Sequence, residues 1–288
     1  WEVSDGQVGM LAGLAVAASY STLGIPIARW ADISNRRNII AIAVTVWSLM
    51  TALCGAAQNF TQLFMARFGV GIGEAGGSPP SHSIVSDIFP AEQRATALSI
   101  YSLGVYGGIL VGTVGGAYLV QMFDWRTAFI VAGLPGVLLA LVVRFAIKEP
   151  PRGMAEARKD VQPPGFFRVM EFLWERKSFR HLSFACALHA FVTYGMGNFM
   201  PLFLGRVHGM PILDIGWYYG IIAGVGGLAG TFFGGWAADH MNKKTGDMTW
   251  YIWIPFISTI IAVPFALNTF LLMPVSYTHL TLPTNREV

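Results

Sequence analysis

Charge is what this sequence lacks. Only 12% of its 288 residues are Asp, Glu, Lys or Arg, about half the share of a soluble globular domain. A chain so poor in charge has no ordinary solvated surface. With 54% hydrophobic residues and a mean hydropathy of +0.53, lipid is the simplest replacement for water. Cysteine is scarce too. Cys54 and Cys186 each lie in an apolar stretch, with no C-x-x-C and no His cluster, so they read as small packing residues and not as a disulfide framework. No P-loop is present, which argues against ATP-driven pumping. Gly69–Gly73 gives only G-x-G-x-G, which matches no dinucleotide fingerprint, and Gly71-Ile72-Gly73 lacks the Ser of a hydrolase elbow. No His/Cys/Glu spacing suggests a metal. No enzyme, cofactor or metal is implied. The net charge of +3 sits in particular loops, a pattern of membrane orientation and not of nucleic-acid binding. No secretory signal pattern is visible, and none is needed where the first apolar span serves as the signal.

What is present is a series of long apolar runs. Crossing hydrocarbon takes about 20 helical residues. Eight segments qualify as predicted spans: Val8–Ala28, Ile39–Ala57, Leu63–Ile84, Ala95–Val120, Thr127–Ile147, His181–Leu204, Ile215–Ala238 and Met248–Met273. Each is long and nearly free of alternation, and barrel strands would be about half this length. Buried backbone in lipid must be paired internally, so the expectation is an all-α membrane protein. The 33 glycines cluster inside spans. Gly104, Gly108, Gly112 and Gly116 share one helical face and predict close helix contact there, as does the set Gly69, Gly71, Gly73, Gly76 and Gly77.

Lys and Arg alternate between loops. Arg36 and Arg37, then Arg94, then the group from Lys148 to Arg180, then Lys243 and Lys244 mark every second loop. The intervening loops carry none, then Arg126, then Arg206. The basic loops are therefore expected to be cytoplasmic, with the chain in a bacterial inner or plasma membrane. The polar stretch Lys148–Arg180 places Phe166, Phe167 and Trp174 between charges. It reads as a linker with a short amphipathic helix on the membrane surface, or as a solvated charge run.

One seven-residue pattern occurs twice. Ala31-Asp32-Ile33-Ser34-Asn35-Arg36-Arg37 and Ala238-Asp239-His240-Met241-Asn242-Lys243-Lys244 both read A-D-x-x-N-basic-basic, each after a charge-free stretch. A duplicated charged turn at matching span ends indicates two similar halves, as in many transporters.

These turns, read as Ala28-x-x-x-Asp32-x-x-x-Arg36-Arg37 and Gly235-x-x-x-Asp239-x-x-x-Lys243-Lys244, resemble the loop 2–3 and loop 8–9 signature of the major facilitator superfamily. Ala28 stands where Gly is usual. Within that superfamily the string Arg67-Phe68-Gly69-Val70-Gly71-Ile72-Gly73-Glu74-Ala75, with Pro79, Pro80, Asp87-Ile88-Phe89-Pro90, Arg94, Trp125-Arg126, Ala128-Phe129 and Glu149-Pro150-Pro151-Arg152-Gly153, is similar to the Spinster-like branch. The resemblance implies a fold of twelve helices in two halves. The eight spans would be helices 2–9, with helix 1 and helices 10–12 outside the sequence. The implied organisation is a first half-bundle over residues 1–147, a cytoplasmic linker over 148–180 and part of a second half-bundle over 181–274. Residues 275–288 resemble translated sequencing-adapter DNA and are set aside.

Several residues are candidates for function. Glu74 lies midway along the third span, where an ionisable side chain is costly and faces a cavity or a partner. Arg67 is seven residues earlier, on nearly the same helical face. A carboxyl placed between low dielectric, which favours its neutral form, and a cation, which favours its charged form, can load and release a proton. A permanent Glu–Arg bridge is the alternative. The resemblance implies a proton-carrying or gating role for Glu74, with an acidic partner on helix 1. It also implies that Asp32, Arg36, Arg37, Asp239, Lys243 and Lys244 form a cytoplasmic gate, which Arg29 could join; a solvated turn is the alternative. In the family the sixth of the eight spans would line the cavity, so Tyr194, Asn198, His189 and Thr193 either bind substrate or hold helices together. Trp217, Tyr218 and Tyr219 read as an interfacial belt or a ligand site, and His82 is equally open.

The resulting expectation is a monomeric secondary transporter working by alternating access, coupled to protons. The resemblance implies an amphipathic, lipid-like or drug-like organic substrate. A sugar or organic-anion carrier with Arg67 as anion contact, and a lipid-modifying membrane enzyme, are the alternatives.

Overall fold

A computed structural model describes residues 3–156 and 165–271. Among these residues every regular element is a helix. Helix α1, Asp5–Gly9, passes through a π turn, Met10–Leu14, into α2, Ala15–Ile33. Then come α3, Arg36–Ala56, α4, Phe60–Ala75, α5, Ser78–Ile88, α6, Ala91–Met122, and α7, Trp125–Ala146. After a single 3₁₀ turn the chain forms α8, Phe166–Glu175, and α9, Lys177–Val207. Helix α10, Ile212–Gly220, continues through a second π turn, Ile221–Val225, into α11, Gly226–Thr245, and α12, Trp250–Leu271, completes the described chain. The residues read as adapter-derived lie outside the described residues.

The helix boundaries follow local chemistry. Asn35, Asn59 and Asp124 are N-caps whose side chains accept from the backbone N–H of Asn38, Gln62 and Thr127 at 2.9, 2.9 and 2.7 Å. Gly246 ends α11 with a φ of 72°, a left-handed turn that only glycine adopts without penalty.

Among the described residues, six stretches are long and apolar enough to cross a membrane: Gly6–Ile33, Arg36–Ala56, Thr96–Met122, Trp125–Ala146, Ile212–Thr245 and Trp250–Leu271. They coincide with six of the eight expected spans. The expected span Leu63–Ile84 is instead broken in two. Gly76 and Gly77 donate to the carbonyls of Gly73 and Glu74, both at 3.0 Å, a tightened turn that ends α4. Pro79 and Pro80 then open α5, where a missing N–H costs nothing. The expected span His181–Leu204 lies wholly within α9, but its His181, His189 and Asn198 make it more polar than the other six.

Helix α3 is the centre of the first half. It packs between α4 and α7, and α2 lies against α4. Eight α3 residues are buried, Arg36, Ile39, Ala41, Ala43, Val44, Ser48, Cys54 and Gly55. Cys54 packs with Ala57, Leu63 and Ala66, as expected of a small packing residue, whereas Cys186 is exposed. Close approach explains the glycines of α4. A Cβ on Gly69 would lie 2.6 Å from Met50 Sδ, and one on Gly73 2.5 Å from the Trp47 nitrogen.

The second glycine set behaves otherwise. Gly104, Gly108, Gly112 and Gly116 meet nothing within 4 Å among the described residues, so the described chain supplies no partner for the expected contact face of α6. The opposite face of α6, carrying Leu110, Thr113 and Ala117, is the one used. It receives Gly216, Gly220 and Gly224, on which a Cβ would lie 2.6 Å from Ala117 Cβ, 2.5 Å from Thr113 Oγ1 and 2.8 Å from Leu110 Cβ. This α6–α10 seam packs α10 against α6. Gly220→Leu is expected to force it apart, at a cost of about 1–3 kcal/mol for overpacking. A lowered melting temperature in detergent, with Gly226→Ala unaffected because its surroundings are open, checks this.

Candidate functional site

At the basic face, the first copy of the repeated turn builds a hub around Arg36. Helix α2 ends at Ile33 and α3 begins at Arg36, so the first guanidinium of α3 points inward. Arg36 is 1% exposed. Its Nε donates to Glu149 Oε1 at 2.8 Å and its Nη2 to the Pro150 carbonyl at 2.9 Å. Its Nη1 donates to Ser83 Oγ at 2.8 Å and pairs with Asp87 Oδ2. A buried guanidinium persists only when its donors are met, and these acceptors come from α5 and from the chain leaving α7.

The hub extends outward. The backbone N–H of Arg37 donates to Glu149 Oε2 at 2.8 Å, and Gly153 N–H donates to Asp87 Oδ1 at 2.9 Å. Arg152 Nη2 donates to the carbonyls of Ala31 and Ser34 at 2.6 and 2.7 Å, satisfying groups that the end of α2 leaves open. Residues Glu149 to Gly153 are thereby tied to the first half.

Burial alone would push the Glu149 carboxyl up. The Arg37 N–H and the Arg36 guanidinium outweigh it and hold the carboxyl below its ordinary range. A depressed carboxylate stabilises the fold above its unfolded pKa and loses that contribution as pH falls through the folded value. Protease cleavage after Arg152 is therefore expected to be slow at neutral pH and to accelerate as the pH falls below about 4, the ordinary Glu range. Glu149→Gln should remove much of that pH dependence.

Of the expected gate residues, Arg36 is the one at the centre. Arg37 lies at the rim, its side chain shared between Asn38 and the Ile147 carbonyl. Asp32 is half-exposed and pairs with Arg29 at 3.5 Å, one turn earlier on its own helix. The acids that meet Arg36 are Asp87 and Glu149, which the sequence offered only as parts of recognisable strings. In the second copy, Asp239 Oδ1 accepts from Tyr251 Oη of α12 at 2.7 Å. Lys243 and Lys244 are exposed in the last turn of α11.

Glu74 sits in the last turn of α4, immediately before the Gly76-Gly77 break. Its side chain is exposed and makes no hydrogen bond or ion pair among the described residues. Arg67 does not bridge to it. Its Nε donates instead to the Leu11 carbonyl at 3.2 Å, inside the π turn Met10–Leu14, where the altered register frees backbone acceptors. The structure thus holds the two charges on one helix without joining them.

The candidate substrate residues of α9 lie along its exposed surface. His189 Nε2 and Thr193 Oγ1 approach at 3.4 Å, and Tyr194 and Asn198 are exposed. In the aromatic last turns of α10, Tyr219 Oη donates to the Gly197 carbonyl at 3.2 Å. Trp217 Nε1 donates across the seam to Tyr118 Oη at 3.3 Å. His82 stands edge-on to Tyr101 of α6, with ring centres 5.3 Å apart. No group of three His, Cys, Asp or Glu side chains that could hold a metal occurs among the described residues.

The profile of the Major Facilitator Superfamily matches residues 1–282. The chain belongs to that superfamily and is an integral, multi-pass membrane protein. It is 30% identical over 270 residues to an MFS-type efflux pump of Mycolicibacterium smegmatis, covering 93% of this chain and 62% of that protein. It is 30% identical over 211 residues to protein spinster homolog 1 of Xenopus tropicalis, covering 72% and 40% respectively. Among solved structures it is similar to a bacterial homolog of the human lysosomal transporter Spinster in an inward-facing and occupied conformation. That match has a TM-score of 0.69 at 34% identity and covers 94% of this chain and 61% of that one. The Spinster-like resemblance read from the Arg67–Ala75 string is borne out. The chain spans less than two thirds of the length of these relatives.

Proposed function

We propose that the chain is part of a secondary active transporter that works by alternating access and is driven by protons. Its two halves rock about the α6–α10 seam, and the cargo is an amphipathic, lipid-like or drug-like organic solute. The observation that carries this reading is Glu74: a carboxyl at the end of a broken helix within a membrane-spanning fold, unpaired among the described residues. Discontinuous helices place ion and substrate sites near the bilayer midplane, and an ionisable group there is a functional group by default. The relatives named as an efflux pump and as Spinster proteins support the class of cargo.

Under the same reading the Arg36–Asp87–Glu149 hub, flanked by Asp32 and Arg37, forms the gate of the basic, cytoplasmic face. Asp239, Lys243 and Lys244 form its counterpart in the second half, and the protein acts as a monomer. A second reading, a carrier of organic anions with Arg67 as the contact, is favoured by one similarity. A probable galactarate/D-glucarate transporter of Bacillus subtilis is 25% identical over 252 residues.

The test is uptake by the full-length protein in proteoliposomes, with and without an imposed pH gradient, using a fluorescent lysolipid and labelled galactarate. Gradient-driven movement of the lysolipid supports the first reading and movement of galactarate the second. Uptake indifferent to the gradient rejects proton coupling.

A further inference from the structure

Helix α8 carries a second surface, separate from any transport site. Projected at 100° per residue, Val169, Leu173, Phe166, Met170, Trp174 and Phe167 fall within an arc of about 160°. Glu171, Glu175, Arg168 and one aromatic, Phe172, occupy the other side. No α8 residue is buried. Phe167 is 84% and Trp174 65% exposed, so the described protein leaves most of this apolar face open.

Connectivity fixes where that face must lie. Only Arg176, in an extended conformation, separates α8 from α9. The other end of the linker leaves α7 and is pinned to the basic face by Glu149 and Arg152. The helix is therefore held beside the end of the bundle, at bilayer-surface level, with an apolar arc that water would penalise. Arg168, Arg176, Lys177 and Arg180 lie along the same short stretch. The Arg176 guanidinium lies 4.5 Å over the Phe172 ring and that of Arg180 5.9 Å from the Trp174 ring. The Arg180 guanidinium is thus held toward Trp174, an aromatic of the apolar arc, at the depth of lipid phosphates. Glu171 and Glu175 fall outside the apolar arc, where they do not oppose an anionic surface.

We infer that α8 is a lipid-binding element that docks on the adjoining leaflet and selects acidic phospholipids through Arg176, Lys177 and Arg180, the cations where α8 meets α9. The apolar arc supplies the anchoring and the cations supply the choice of headgroup.

The experiment uses the full-length protein with Cys54→Ala, Cys186→Ser and a single bimane label at Met170→Cys. It is reconstituted into bilayers that mix phosphatidylcholine with phosphatidylglycerol, with bromine placed on one lipid or the other. Brominated phosphatidylglycerol is expected to quench the label more strongly than brominated phosphatidylcholine. Raised salt should shrink that difference. Arg176→Gln with Arg180→Gln should cut the preference by about tenfold or more, since each basic residue near an anionic surface contributes several-fold. A label at Phe167→Cys should report the same preference, which keeps the result decisive if one variant folds poorly. Equal quenching by both lipids would show anchoring without recognition and overturn the proposal. No quenching by either would show that protein covers the face, and would overturn it as well.

Discussion

Arg36→Met is expected to destabilise the protein by about 3–5 kcal/mol, the range for removing one partner of a buried ion pair. The side chain is enclosed and donates to four groups, Ser83, Asp87, Glu149 and the Pro150 carbonyl. Removing it leaves Asp87 and Glu149, which are mostly buried, facing each other without a cation. Arg36→Lys should rescue little, because an ammonium is a point charge and cannot span four acceptors arranged around a planar fork. A melting curve in detergent should fall by roughly 10 °C on the usual scaling for chains of this size. The double variant Arg36→Met with Asp87→Asn should lose less than the two single losses added together. Additive losses would mean that the two side chains are not coupled.

Glu74→Gln is expected to abolish accumulation driven by a pH gradient while leaving folding intact. Glutamine keeps the shape of a protonated glutamate but cannot release a proton. The side chain makes no hydrogen bond or ion pair among the described residues, so the substitution breaks no bond and the melting temperature should stay near that of the parent. Equilibrium exchange of substrate should persist, because it needs no net proton movement. Glu74→Asp, which keeps the charge on a shorter arm, should retain part of the gradient-driven activity. Unchanged accumulation in Glu74→Gln at every pH would remove Glu74 from the coupling scheme.

The sequence revealed the solvent, the helices and the duplicated turn because each is written locally. Charge-free runs, N-caps such as Asn35 and Asn59, and the A-D-x-x-N-basic-basic pattern need no knowledge of distant residues. The break after Glu74 was also legible, since Gly76-Gly77 followed by Pro79-Pro80 is punctuation that a continuous helix rarely carries. The length of the run Leu63–Ile84, sufficient for one span, concealed it. The partners of Arg36 were not legible. Asp87 and Glu149 lie 51 and 113 residues away, and Asp32, the nearer acid, pairs with Arg29 instead. The face of α6 that meets α10 was not legible for a similar reason. It carries Leu110, Thr113 and Ala117, and the glycines that let the helices approach, Gly216, Gly220 and Gly224, lie about 100 residues later.

The bonds from Arg36 to Glu149 and from Arg152 to the end of α2 have a mechanical result. Residues 149–153 are fixed to α2 and α3, so the free leash toward α9 is shorter than the span between Ala146 and Lys177 suggests. Under the proposed rocking, a shorter leash would narrow the arc of the swing, and any larger swing would first have to pull Arg36 off its acids.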